Sequence, residues 1–145
     1  MDYLKNGNAG ENITWEYEDG IMRIVGTGEM IRFENDNDEK RRTVYDPHCL
    51  APWYGPVGFL DTPVPRDCKE VIISEGITGI HSLMFSNWKW KSLERVEIPE
   101  SVGFIGELNF DFKERSQQLV IVCKKGSYAE QYAKENHFRI EYIVN

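Results

Sequence analysis

The stretch Val71-Ile72-Ile73-Ser74-Glu75-Gly76-Ile77 is written again as Val96-Glu97-Ile98-Pro99-Glu100-Ser101-Val102, 25 positions further on. The echo continues on both sides, pairing Cys68 with Leu93, Ile80 with Ile105 and Phe85 with Phe110. Leu119, Ile121 and Cys123 open a third strand after a slightly longer gap. A period of about 20–50 residues marks a solenoid, in which each unit hides its apolar side only against its neighbours. The β-branched start of each copy favours short strands over residues 70–73 and 95–98. Glu75-Gly76 or Pro99-Glu100 then turns the chain, and a second apolar pair follows: Ile77 with Ile80, or Val102 with Ile105. Each unit ends in a tight turn around Phe85 or Phe110. Strands that arrive from the same direction pair in parallel, about 4.8 Å apart.

Upstream, residues 1–10 read as a frayed lead-in. Ile13, Trp15 and Tyr17 alternate with polar residues, Asp19-Gly20 supplies a turn, and Met22 and Ile24 continue beyond it. An Asp-Gly pair between alternating apolar runs predicts a hairpin, because the turn needs positive φ. Gly26 and Gly28 mark a bulge or a close backbone approach. Residues 34–66 hold five of the six prolines, which rules out a long helix or an internal strand there. A loop of this length is usually functional or disordered, and Trp53-Tyr54 in its middle suggests that packing pins part of it.

Downstream the pattern changes. Ser127 with Glu130 makes a capping box, and Tyr128, Ala129, Tyr132 and Ala133 share one helical face. Asn136 is expected to end that helix in a left-handed conformation, after which Phe138, Ile140 and Tyr142 alternate as a last strand. Solenoids need atypical end units over their exposed core. The 145 residues therefore read as one β-rich α/β domain: an N-terminal hairpin cap (11–33), an irregular loop (34–66), the repeats (67–123) and a C-terminal helix–strand cap (124–145).

Composition limits function. A net charge of −7 without a basic stripe argues against a nucleic-acid partner. The basic run Lys40-Arg41-Arg42 directly follows an acidic run, 34–39, and the pair reads as a solvated loop. No apolar run is long enough to span a bilayer. The polar first residues lack the apolar core of a signal peptide, which leaves a cytoplasmic protein or a removed leader. Three cysteines exclude a full disulfide framework, and Cys68 and Cys123 occupy core slots where a thiol acts as a small hydrophobe.

Several segments together resemble the BspA-type leucine-rich repeat family. Gly10-Glu11-Asn12, Trp15 and Gly26-Thr27-Gly28-Glu29-Met30 are similar to its N-terminal segment, and Ala51-Pro52-Trp53-Tyr54 to its second signature. The two copies of the repeat quoted above follow, and 126–133, GSYAEQYA, is similar to the closing segment. The match covers nearly everything from Gly10 to Ile143. Only two full repeats are present, fewer than the family usually carries. The resemblance implies a short leucine-rich-repeat solenoid that binds a protein or glycan, with adhesion at the cell surface or after secretion, and no catalysis. The alternative is a structural, self-associating scaffold with no small-molecule ligand, and the expected state in solution is a monomer or weak homodimer.

Two groups of residues are candidates for ligand binding. Trp53, Trp88 and Trp90 are the first, since exposed aromatics are enriched at interfaces and also stack on sugars. Their alternative role is to cover the core. The outward strand positions Ile72, Glu97 and Val122, with Glu141, are the second, because they align in one row across the sheet. A solvated face or a dimer contact would use the same row. Asp36, Asp38 and Glu39 lack the central glycine and bidentate glutamate of a calcium loop. His48 and Cys49 are adjacent, so their side chains do not converge, and neither zinc spacing nor a Ser/His/Asp set is present. No catalytic residue, metal ligand or cofactor is expected.

Overall fold

A computed structural model describes residues 6–30, 66–80, 85, 90–106, 109–110 and 119–143. Among the described residues the elements with full bounds are, in chain order, β1 (Asn6–Gly10), β2 (Asn12–Glu18), β3 (Ile21–Glu29), β4 (Glu70–Ile73), β5 (Ile77–Ile80), β6 (Arg95–Glu97), β7 (Phe104–Ile105), β8 (Val120–Cys123), α1 (Tyr128–Glu135) and β9 (Arg139–Tyr142). The main ladder runs β1-β2-β3-β4-β6-β8-β9, and a second, shorter ladder joins β3, β5 and β7.

The period read from the sequence is the register of the sheet. Val71 lies opposite Val96, and Val96 opposite Ile121, with β4, β6 and β8 all parallel. Each step is 25 residues, so the third strand keeps the period and the slightly longer gap belongs to Leu119 alone. After the turn, β5 pairs β7 in parallel, with Ile80 opposite Ile105. Because side chains alternate along a strand, one register fixes which residues face inward. Met22, Val71, Val96 and Ile121 form one buried row, with Ile24 and Ile73 in the next. Burying each such side chain stabilises the fold by roughly 1.5–3 kcal/mol.

The turns are held by side chains the repeat supplies. Ser101 Oγ accepts the Gly76 N–H at 2.9 Å and donates to the Ile77 carbonyl at 2.7 Å, tying one copy of the turn to the next. Asn109, fully buried, accepts the Phe85 N–H at 2.9 Å and donates to the Gly106 carbonyl at 2.9 Å. Phe85 stacks on Phe110, its counterpart in the next copy, with ring centroids 4.9 Å apart. Burial pushes the Cys68 thiol up to about 12 and raises that of Cys123, so both stay protonated at neutral pH, as core positions require.

The hairpin forms as expected, with Asp19 and Gly20 at φ 51° and 83° in its turn. It joins the sheet directly, since β3 pairs β4 in parallel. Gly26 is a close approach: a Cβ there would lie 2.0 Å from the Asn12 carbonyl oxygen. Residues 6–10 correct the expectation of a frayed lead-in, for they form β1, antiparallel to β2. Asn-Gly-Asn-Ala-Gly has little strand propensity of its own. The ladder to β2 and the small side chains make it fit, with Ala9 fully buried and Gly7 set against the Trp15 indole.

At the other end, Ser127 Oγ accepts the Glu130 N–H at 3.2 Å. The Glu130 carboxylate reaches back to the Gly126 N–H at 3.0 Å, one residue earlier than a standard capping box. Asn136 is not left-handed (φ −102°); it caps the helix by donating its side-chain amide to the Tyr132 carbonyl, and His137 takes the positive φ of 62°. Helix α1 covers β8 and β9 with Ala129, Tyr132 and Ala133 buried. Most of the irregular stretch expected over 34–66, including Trp53, lies outside the described residues, as does Trp88.

Candidate interaction surface

The outward face of the sheet follows from the same register. Arg23, Ile72, Glu97, Val122 and Glu141 stand opposite one another in successive strands β3, β4, β6, β8 and β9. The sequence-derived row of Ile72, Glu97 and Val122 is therefore brought together, and it extends to Arg23 and Glu141. A parallel row alongside it holds Ile21, Glu70, Arg95, Val120 and Arg139. Neighbouring strands set these side chains about 4.8 Å apart.

Electrostatics organise this face. Arg95 Nε lies 3.5 Å from a Glu70 oxygen, and its Nη1 donates to the Glu141 carboxylate. Glu141 belongs to β9, two strands from Arg95, so the pair reaches over β8. That arch accounts for Val122, which points outward and yet is only 4% exposed. The hydrogen bond to Glu141, acting against the lowering effect of burial, holds the Arg95 guanidinium above its already high ordinary pKa. Ile72 and Glu97 are half-buried, so of the three expected contacts these two present surface and Val122 serves the packing.

The aromatic candidates separate. Trp53 and Trp88 lie outside the described residues. Trp90 corrects the expectation of an exposed contact: it is 2% exposed, with its ring centroid 5.0 Å from that of Phe85. A large apolar ring at the end of a repeat gains most by closing the core beside Phe85, and there it offers no face to a ligand.

Sequence reasoning missed a groove of about 620 Å3 at the starting ends of β4, β6, β8 and β9, lined by Lys69, Lys91, Arg95 and Arg139 with Leu93 and Val120. The cations do not share one period, so no repeat pattern announces them. Among the described residues, no group of three His, Cys, Asp or Glu side chains could hold a metal ion, and no helix is long and apolar enough to cross a membrane.

No family model and no curated protein matches the chain. Among solved structures, it is similar to a leucine-rich repeat protein from Eubacterium ventriosum ATCC 27560, with a TM-score of 0.49 and 18% sequence identity. The likeness covers 97% of this chain and 44% of that one, so the chain spans less than half of its neighbour's length.

Proposed function

We propose that the chain is a non-catalytic recognition module, a short solenoid of the BspA-type leucine-rich repeat kind. In this reading the hairpin and the helix–strand unit cap its two ends, within one domain of 145 residues. Its strand face meets a protein or glycan at the cell surface, and Trp53 and Trp88 are kept as candidate contacts from the sequence alone. The observation that carries the reading is the row Arg23, Ile72, Glu97 and Glu141, which presents mixed polar and apolar groups in register, with Val122 packed beneath it on the intervening strand. Repeat architectures bind through such extended strand surfaces.

An array of proteins and glycans probed with the labelled chain tests this. Bound partners should lose about tenfold in affinity with Ile72→Lys, which replaces the row's half-buried apolar member with a charge. Absence of binding above background overturns the reading.

A second reading, self-association as a scaffold, is favoured by one feature. Among the described residues strand β9 ends the main ladder, and Tyr142 on it is 42% exposed. An open strand edge is a template for another strand. Light scattering that finds a monomer at high micromolar concentration removes this alternative.

A further inference from the structure

We propose that the groove at the starting ends of the parallel strands binds an acidic peptide segment in extended conformation. The inference rests on the reading of the chain as a recognition module and adds a second surface to it, on the rim of the sheet.

Four cations line the groove in a protein of net charge −7. Arg95 is already engaged by Glu70 and Glu141. Lys69, Lys91 and Arg139 are exposed and form no ion pair among the described residues. An incoming carboxylate therefore meets positive charge without first displacing an internal partner. Two lysines supply adaptable point charges, and Arg139 supplies a planar fork suited to bidentate contact with a carboxylate.

The spacing selects an extended chain. Lys69 precedes β4 and Arg139 begins β9, three strand positions away along β4-β6-β8-β9. Three gaps of about 4.8 Å make about 14 Å, which an extended peptide of four or five residues covers. Leu93 and Val120 give the groove an apolar floor for intervening side chains.

Glu94 favours peptide over a sulfated polysaccharide. Its exposed carboxylate stands among the cations. A uniformly sulfated chain would bring an anion against it, and like charges in contact are costly. A peptide alternates acidic side chains with backbone N–H groups, which Glu94 can accept.

The probe is a fluorescein-labelled pentapeptide of alternating glutamate and valine, followed by fluorescence anisotropy at several salt concentrations. Binding should weaken as salt rises, since the Debye length falls below about 10 Å above 0.1 M. Lys91→Glu should weaken it several-fold, and adding Lys69→Glu and Arg139→Glu should abolish it. Lys125→Glu makes the same single charge change at an exposed lysine outside the groove and should leave binding unchanged. Circular dichroism of each variant checks that the fold is retained. The proposal is overturned if a control pentapeptide with glutamine in place of glutamate binds equally, or if Lys125→Glu weakens binding as much as Lys91→Glu. It is also overturned if a heparin oligosaccharide binds and the acidic peptide does not. Failure here leaves array partners sensitive to Ile72→Lys untouched, so the two surfaces fall or stand separately.

Discussion

The antiparallel end of the sheet, β1 to β3, and the parallel stack of β4, β6 and β8 reach the same packed sheet by different means. In the stack, side-chain identity decides: Val71, Val96 and Ile121 repeat at 25-residue intervals and bury one behind another. In the antiparallel end, backbone proximity decides. Gly26 lies so close to β2 that its missing side chain is the reason the strands fit, and Asp19-Gly20 adopts a turn with two positive φ values. The stack tolerates variation in outward residues and depends on inward volume; the hairpin depends on single atoms near the main chain. Each predicted substitution strikes one of these dependences.

Gly26→Ala should have the largest effect. Its Cβ would meet the Asn12 carbonyl oxygen at 2.0 Å, and φ there is +140°, so the backbone itself must move. A loss of about 4 kcal/mol is expected, at the upper end for single substitutions. Urea unfolding followed by circular dichroism measures it. A loss below about 1 kcal/mol would erase the contrast, because the hairpin would then adapt as easily as the stack.

Ile98→Ala should cost about 3 kcal/mol, by emptying a fully buried slot immediately after β6. Glu97→Ala, one position away and half-buried on the outward face, should change stability by less than about 0.5 kcal/mol. The pair sharpens the comparison, since in the stack only the inward member of two neighbours should matter. Near-equal losses in the same denaturation experiment would mean that inward and outward positions are not energetically distinct.

The same contrast explains what the amino-acid sequence discloses. The stack and its outward row were legible because a fixed period places Ile72, Glu97 and Val122 opposite one another, whatever the loops between them do. Strand β1 was not legible. Asn6 to Gly10 carries no strand-forming side chain, and tertiary pairing with β2 overrides its propensity. The switch of positive φ from Asn136 to His137 depends on Asn136 using its amide to cap α1, a choice that residue preference alone does not make. The 4% exposure of Val122 depends on an ion pair spanning two strands, which no local pattern encodes. The cationic groove was hidden for a related reason. Arg139 lies 19 residues beyond Val120, outside the 25-residue period that organises the stack.

The smallest predicted effect concerns the joint between α1 and β9, which shares features of both regions. Tyr142 donates its hydroxyl to the Glu130 carboxylate, and this bond, with the Gly126 N–H, holds the Glu130 carboxyl below its ordinary value of 4.5. A carboxyl depressed in the folded state binds its proton later than in the unfolded chain. Its contribution is therefore complete above about pH 4.5 and is lost as pH falls through the lowered folded value. Tyr142→Phe removes the larger cause of the depression. The variant should melt at a slightly lower temperature than the native chain at pH 7, and the gap should narrow below pH 4.5, where the unfolded carboxyl takes up its proton. Melting curves that stay parallel from pH 7 to pH 3 would show that the phenol packs against the helix end without supporting the Glu130 charge.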